Sequence, residues 1–315
     1  MMGEPVELIK ALELYQKGDY AQAYTLSTIA CEQYPDWKSR AYEFRFDIAA
    51  VMGKLDLAED ILNEALDQGF FYNELVLRQD DDVKELQGRP RFEELARRSL
   101  KVLQEVQDKA RPDMKIIEPD PMPTGRLPLL MGLHGNNSRV EEFSDYWNSL
   151  QYDQWLVALP QSSQVSAKNQ FVWNDFTRIE IEIASLYAQI TSYYSIDAQK
   201  SILAGFSKGG HAAIHCALKG LVPVRGFLGL ASFVRDPGLI LPLLDQPWQK
   251  DLRGYFILGE IDDTCTPGAL KLVDLLQAHQ IECRVEIVPG MAHDIPVDFA
   301  PYLKRAIDFI LQKQD

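Results

Sequence analysis

A strand, a tight turn and a helix follow one another in residues 200–218, and this stretch restricts the fold more than any other part of the chain. The apolar run at its start predicts a buried strand, and the small residues at its end predict a helix. Ser207 stands at the tip of the turn. Gly205 and Gly209, two residues before and after it, leave room for a bend that exposes the hydroxyl. Ser207 is therefore a candidate nucleophile, and the alternative is a glycine-rich turn in which it only caps the helix.

Lys208 begins the predicted helix directly after the serine. Its backbone N–H has no partner within the helix, so it would point at negative charge developing on an attacked carbonyl. Its side chain also brings a cation next to the candidate nucleophile. That cation would favour an anionic substrate or pair with one of the 46 acidic residues of the chain, and we expect the pairing.

Short apolar runs alternate with helical stretches from Leu129 onward. This alternation predicts a mostly parallel sheet with helices on both faces, in which reactive groups gather at the carboxyl ends of the strands. The predicted strands are 129–133, 154–159, 201–206, 225–231, 254–258 and 283–288, and the predicted helices include 176–194, 267–280 and 299–311.

Two candidates for a catalytic base follow the nucleophile helix. His279 lies inside a predicted helix on the flank, whereas His293 lies in the loop after the last strand, at the edge that carries Ser207. An imidazole base needs a carboxylate that fixes its tautomer and stabilises its cation. Asp262, which follows the strand 254–258 through a glycine turn, is the favoured acid. The alternatives are Glu260, Asp263 and Asp294.

Four motifs stand at these strand ends and before one helix. They are Leu133-His134-Gly135, Val172-Trp173-Asn174-Asp175, Gly205-Phe206-Ser207-Lys208-Gly209-Gly210, and Gly259-x-x-Asp262 followed by Gly290-x-x-His293. With them, residues 115–315 resemble the α/β-hydrolase superfamily, and within it the carboxylesterase, acyl-protein thioesterase and dienelactone hydrolase group. The resemblance implies that Ser207, Asp262 and His293 form a catalytic triad, in the chain order of that fold. It also implies that the N–H groups of Asn136 and Lys208 form the oxyanion hole.

The first 110 residues show helical periodicity and an internal repeat. Gly18, Ala23 and Ala30 recur 35 residues later as Gly53, Ala58 and Ala65, and small residues at fixed places let paired helices pack closely. Residues 5–68 therefore resemble two tetratricopeptide repeats, although the second copy lacks the closing proline. The sequence predicts an all-α helical-repeat domain over 1–110, ahead of the α/β-hydrolase domain.

Five prolines in residues 111–128 exclude a continuing helix. This segment is predicted to be a linker, with an edge strand of the sheet from residue 115, and the catalytic domain is predicted over 129–315. The segment 232–253 between two predicted strands is too short for a large helical cap. We therefore expect an open acyl site, unless the repeat domain covers it and selects substrates.

The chain is acidic, with a net charge of −14. Nucleic acid and anionic membrane surfaces would repel such a protein, so neither is expected as a partner. The sequence shows no secretory pattern and no apolar run of membrane-spanning length, which predicts a cytoplasmic protein. The four cysteines have no C-x-x-C spacing and are expected to be reduced thiols.

Two functions fit these observations. The leading hypothesis is a serine hydrolase that cleaves a small-molecule carboxylic ester or thioester through an acyl-enzyme. The alternative is a non-catalytic adaptor that binds a protein partner on the repeats, with the hydrolase domain kept as a scaffold. No cofactor and no metal is expected. His211 and His215 lie one helical turn apart, but no third ligand is placed beside them.

Overall fold

The structure is a computed structural model that describes residues 5–312, and it divides the chain into two units. The first unit contains the described residues up to Ala110 together with residues 165–170. The second contains 111–164 and the described residues from Phe171 onward. Within residues 5–312, no helix is both long and apolar enough to cross a membrane.

The first unit is built from helices that pack in chain order, α1 on α2, α2 on α3, α3 on α4 and α4 on α5. Between α4 and α5 the chain forms a π-helical turn and a 3₁₀ helix, at Leu75–Gln79 and Asp81–Leu86. The helices are α1 Val6–Gln16, α2 Tyr20–Gln33, α3 Lys38–Val51, α4 Leu55–Asp67 and α5 Pro90–Lys109.

The 35-residue repeat of the sequence has a structural counterpart in this unit. Gly18 and Gly53 both have positive φ, at 80° and 70°, in the loops that join α1 to α2 and α3 to α4. Only glycine adopts this conformation at little cost, which explains its recurrence at the end of each first helix. The four repeated alanines, Ala23, Ala30, Ala58 and Ala65, are all fully buried.

Residues 165–170 fall within the range predicted for the catalytic domain, but their contacts lie in the first unit. The strand β4, Val165–Ala167, forms an antiparallel bridge between Ala167 and Tyr72. The Val165 N–H donates to the side-chain oxygen of Gln107 at 2.9 Å, and the Lys168 ammonium lies 4.6 Å from the Phe70 ring centroid. The first unit is therefore discontinuous in sequence.

The second unit is organised around a seven-stranded sheet of order β1-β3-β2-β6-β7-β8-β9. All neighbouring pairs are parallel except β1 and β3. The strands are β1 Asp113–Ile117, β2 Leu129–Leu133, β3 Leu156–Gln161, β6 Ile202–Phe206, β7 Gly226–Leu230, β8 Arg253–Gly259 and β9 Glu282–Val288, with β5 Gln170–Phe171 outside this sheet. The antiparallel β1 lies within the segment predicted as a linker, so the sheet begins earlier than residue 115.

Helices cover both faces of the sheet, as the predicted α/β-hydrolase fold requires. Side chains alternate along each strand: Met131 and Leu203 enter the core under α7, α8 and α9, whereas Leu130 and Ala204 enter the core under α6 and α10. The helices are α6 Val140–Phe143, α7 Phe176–Tyr193, α8 Lys208–Leu218, α9 Thr266–Ala278 and α10 Phe299–Leu311. Because both faces are buried in the middle of the sheet, the central strands β2, β6 and β7 are continuously apolar, whereas the edge strands β1 and β9 also contain exposed charged residues.

The strand order reverses between β2 and β6. The chain runs from β2 outward to β3 and later returns to β6 on the other side of β2, with Leu133 paired to Gly205 at the carboxyl ends. The loops that follow these two neighbouring strands leave in different directions, which opens a crevice where ligands bind in sheets of this kind. The loop after β2 and the turn at Ser207 therefore start side by side.

The buried repeat alanines predict a position-dependent effect of side-chain size. Replacing Ala23, which has no exposed surface, with Leu should destabilise the protein by about 1–3 kcal/mol because three added carbons must fit between packed helices. Ala21→Leu on the exposed face of the same helix should change stability by less than about 0.5 kcal/mol. Urea denaturation of the full-length variants measures both, and equal midpoints would contradict the assignment of this face as a helix–helix contact.

Candidate active site

Ser207 lies between β6 and α8 in a backbone conformation that few residues other than glycine adopt, with φ 54° and ψ −120°. Such a conformation costs on the order of 1–3 kcal/mol and persists only where the surroundings enforce it. The Ser207 N–H donates to the Leu230 carbonyl at 2.8 Å, and the Ser207 carbonyl accepts from the Phe233 N–H at 3.0 Å. Neighbouring backbone thus holds the turn on both sides and leaves the hydroxyl outside.

Glycines around Ser207 allow the turn because three backbone segments meet there. A Cβ on Gly205 would lie 2.3 Å from the Gly209 carbonyl oxygen, and a Cβ on Gly209 would lie 2.1 Å from the His134 carbonyl oxygen. No side chain fits at these distances. The first turn of α8 therefore packs directly on the end of β2, as the predicted steric role of both glycines requires.

The three predicted triad residues meet at the carboxyl edge of the sheet. His293 Nε2 lies 3.0 Å from Ser207 Oγ, and His293 Nδ1 lies 2.8 Å from Asp262 Oδ2. The imidazole side chain is 39% exposed, whereas that of Asp262 is only 1% exposed. A carboxylate sealed from water therefore orients a ring that remains reachable from solvent, which is the geometry needed for proton transfer from a serine hydroxyl.

The alternative acids take other partners. Glu260 accepts from the Gly290 N–H at 2.8 Å, Asp294 accepts from the Ile295 N–H at 2.7 Å, and Asp263 is exposed. Among the four carboxylates, Asp262 is the one that hydrogen-bonds to His293.

His134 orients the backbone of the loop after β2. Burial lowers the pKa of His134 to about 4, so the ring is neutral; its Nδ1–H donates to the Gly135 carbonyl at 2.7 Å, and Nε2 accepts from Gln161 at 3.0 Å. The Asn136 N–H belongs to the same trans peptide as the Gly135 carbonyl and therefore points the opposite way. A Cβ on Gly135 would lie 3.8 Å from the Cβ of Ser207, so this peptide stands beside the serine.

The N–H groups of Asn136 and Lys208 donate to no other group within residues 5–312. The predicted oxyanion hole needs two free donors next to the serine hydroxyl, and these two N–H groups are unoccupied within the described part of the chain. The side chain of Asn136 fixes this loop, since its oxygen accepts from the Trp173 N–H at 2.8 Å and its amide donates to Asn174 at 2.9 Å. Gln164 in turn accepts from the backbone of Asn174 and Asp175.

The sequence singled out His134-Gly135 and the 172–175 motif only as family signatures. It did not predict that His134 sets the direction of a peptide, or that Gln164 holds the 172–175 segment. Gln164 accepts from residues 10 and 11 positions further along the chain, and the His134 ring donates to the carbonyl of the next residue. Neither kind of contact leaves a periodic pattern in the sequence. The feature of the sequence that could have indicated the role of His134 is that a histidine and a glycine directly follow the buried strand 129–133.

Lys208 departs from its predicted ion pair. Within residues 5–312 its ammonium makes no salt bridge; it lies 5.0 Å from the centroid of the Phe233 ring. Burial lowers the pKa of Lys208, and the like charge of Arg235 lowers it further. The prediction that this cation pairs with an acid was wrong, because overall acidity says nothing about which acids reach a given position.

A cysteine completes the surroundings of the acid. The Cys265 N–H donates to Asp262 Oδ1 at 3.0 Å, and burial together with the Asp262 charge raises the pKa of the Cys265 thiol to about 12. Donor atoms of Asp262, Cys265 and His293 all lie within 4.8 Å of one another, a spacing that a metal ion could use. A thiol that resists ionisation is a poor metal ligand, since binding requires the thiolate.

The two helix histidines do not face a common ligand. Both rings pack on Phe176, with centroids 5.0 Å away for His211 and 4.6 Å away for His215, and His215 Nε2 also lies 2.8 Å from Glu180. All four cysteines are free.

Comparison with known proteins supports the α/β-hydrolase superfamily. A protein-family model described as the A/B hydrolase-like N-terminal domain matches residues 6–107. No curated protein matches the chain. The family model covers the helical unit, and the tetratricopeptide resemblance of that unit stays a prediction.

Among solved structures, an uncharacterized protein from Bacillus cereus ATCC 10987 is 25% identical, covers 97% of this chain and 98% of its own, and has a TM-score of 0.55. Esterase PE8 is 17% identical over 64% of this chain and 98% of its own, with a TM-score of 0.52. The Bacillus cereus carboxylesterase is 13% identical over 66% and 99%, with a TM-score of 0.52. The predicted fold is confirmed: an α/β-hydrolase sheet preceded by an all-α domain.

The neutral, buried His211 predicts a specific acid sensitivity. Its ring is 5% exposed, its Nδ1 has no partner within residues 5–312, and burial with the charge of Lys208 lowers its pKa to about 4. The unfolded chain binds this proton near pH 6.5, so the stability contribution is complete above pH 6.5 and is lost as the pH falls towards 4. Between pH 7 and pH 5 the loss is about 2 kcal/mol.

His211→Leu removes the titrating ring at similar volume and should reduce the difference in unfolding free energy between pH 7 and pH 5 by about that amount. Urea denaturation at the two pH values measures the effect. Ile214→Leu, a volume-conserving change at a buried position of the same helix that does not titrate, is the control and should keep the acid sensitivity of the wild type. An unchanged difference in His211→Leu would show that the ring titrates alike in the folded and unfolded states.

Proposed function

We propose that this protein is a serine hydrolase that cleaves a carboxylic ester or thioester through an acyl-enzyme. The observation that carries the proposal is the continuous hydrogen-bonded chain from Ser207 Oγ through His293 to the sealed Asp262. The structural likeness to an esterase and a carboxylesterase is consistent with it, since both are proteins of the same fold. The activity and the residue roles are proposed on the basis of the site chemistry.

In the proposed acylation step, His293 Nε2 takes the proton from Ser207 as the oxygen attacks the carbonyl carbon. The resulting oxyanion is stabilised by the N–H groups of Asn136 and Lys208. Asp262 stabilises the imidazolium that forms and holds Nδ1 protonated, so that Nε2 is free to act as the base. The proton then passes to the leaving oxygen or sulfur.

In the proposed deacylation step, the same groups act again, with water as the nucleophile that attacks the acyl-enzyme and releases the carboxylic acid. His293 takes a proton from water, the second tetrahedral intermediate uses the same two N–H groups, and Ser207 recovers its proton. No cofactor takes part in this scheme. The exposed edge of the His293 ring gives water access to the acyl-enzyme.

The segment between β7 and β8 is short, and it does not form a large cap over the acyl site. In the second unit it contains two short 3₁₀ helices, Pro237–Leu243 and Pro247–Asp251. A segment of this length is too short to form a large cap, which supports access of small esters to the carboxyl edge of the sheet.

Ser207→Ala should lower kcat for a short 4-nitrophenyl ester by at least about 10³-fold, because it removes the nucleophile. A fluorophosphonate should label the wild-type protein at Ser207 and leave the variant unlabelled, as measured by intact-protein mass spectrometry. A chain-length series of 4-nitrophenyl esters would then define the acyl preference. If the folded protein at neutral pH is neither labelled nor active, the adaptor alternative replaces the enzymatic proposal.

Asp262→Asn and Asp263→Asn form a matched pair. The first should lower kcat by about 10²- to 10⁴-fold, because the amide holds the wrong imidazole tautomer and cannot stabilise its cation. The second changes an exposed carboxylate that does not contact His293 and should stay within about twofold of the wild type. Equal losses in the two variants would exclude Asp262 as the orienting acid.

A further inference from the structure

Two cations without an ion-pair partner among the described residues belong to the two segments that meet at the nucleophile. Lys208 follows Ser207 directly, and Arg235 lies in the loop after β7, whose Phe233 N–H donates to the Ser207 carbonyl. Within residues 5–312 neither side chain forms an ion pair, although the chain has 46 acidic residues. The carboxylate next to Arg235, Asp236, instead accepts from the Gly238 N–H at 2.9 Å.

One of the two cations lies over an aromatic ring, and the other follows that ring in the same loop. The Lys208 ammonium lies 5.0 Å from the Phe233 ring centroid, and Arg235 follows Phe233 by two residues. An aromatic face stabilises a cation without neutralising it. The ring therefore keeps a half-buried ammonium near the nucleophile while its charge remains available to a ligand.

The like charges interact unfavourably in the absence of a ligand. Burial and Arg235 both disfavour the charged form of Lys208, which lowers its pKa, and the neutral His211 adds no charge of its own. An arrangement that costs stability is expected at a functional site, where a bound anion would offset the cost. A neutral substrate would not offset this cost, whereas an anionic substrate would.

We propose that Lys208 and Arg235 form an anion subsite beside Ser207, and that the preferred substrate is an ester or thioester that also bears a carboxylate. This inference rests on the proposed hydrolase function and narrows its substrate class. A guanidinium and an ammonium are suited to a carboxylate, through paired hydrogen bonds from the first and a point charge from the second. The carboxylate belongs either to the acyl part or to the leaving group.

Two pairs of matched substrates separate these sources. On the acyl side, 4-nitrophenyl hydrogen adipate is compared with 4-nitrophenyl methyl adipate; on the leaving-group side, 3-butyryloxybenzoate is compared with its methyl ester. In one pair or the other, kcat/KM for the anionic substrate should exceed that of the neutral one by at least about tenfold. The advantage should shrink in 0.5 M salt (about a threefold rise over physiological strength), because salt screens part-exposed charges.

Side-chain variants test whether these two residues cause the preference. Lys208→Met and Arg235→Gln should each lower the anionic-to-neutral ratio of kcat/KM by at least about fivefold, and Arg235→Lys should keep most of it. Lys200→Met is the matched control: Lys200 is exposed and precedes β6, at the opposite end of the strand from Ser207. The anionic-to-neutral ratio of kcat/KM in Lys200→Met should equal that of the wild type.

The outcomes distinguish this inference from the proposed function. Ser207-dependent turnover with ratios near one in both substrate pairs would overturn the anion subsite and leave the hydrolase intact. A clear preference that survives both Lys208→Met and Arg235→Gln would also overturn it, since another cation would then be responsible. Absence of any Ser207-dependent turnover or labelling would overturn the hydrolase and the subsite together.

Discussion

The contact between the first turn of α8 and the end of β2 is the constraint on which the site depends. A Cβ at Gly209 would lie 2.1 Å from the His134 carbonyl oxygen, so helix and strand touch through backbone alone. This closeness leaves the chain one way to pass from β6 into α8, with Ser207 at positive φ. It also brings the peptide after Gly135 next to the serine, because the loop leaves from the same strand end. One steric contact thus sets both the exposed hydroxyl and the position of a free N–H.

Charge is distributed unevenly around that contact. Asp262 is sealed, held by His293 and the Cys265 N–H, in surroundings where its interaction with an imidazolium is strong. The Lys208 ammonium lies over the Phe233 ring, and Arg235 follows two residues later in the same loop. The protein is acidic overall, yet these two cations form no ion pair with any acid within residues 5–312. A negatively charged ligand would therefore be repelled at long range and attracted locally, which favours small anions over large acidic partners.

The sequence predicted the fold class because hydrophobic runs and glycine turns act locally. The strand 129–133 and the helix 299–311 match their observed bounds, and the other predicted core elements differ by one or two residues at their ends. Strand-end logic was enough to nominate Ser207, His293 and Asp262, which the fold brings within hydrogen-bonding distance; their catalytic roles remain a prediction. The roles of His134 and Gln164 and the environment of Lys208 depend on tertiary contacts, which no local pattern records.

The discontinuity of the first unit has a consequence for separating the two units by truncation. Residues 165–170 leave the sheet-containing sequence, pair with Tyr72 and Gln107, and return, so the polypeptide passes between the units three times. A helical module added by simple fusion at one end would need a single junction. Here the segment 165–170 contacts the helical part of its own unit, so deleting residues 1–110 would remove Gln107 and Tyr72, the partners of Val165 and Ala167.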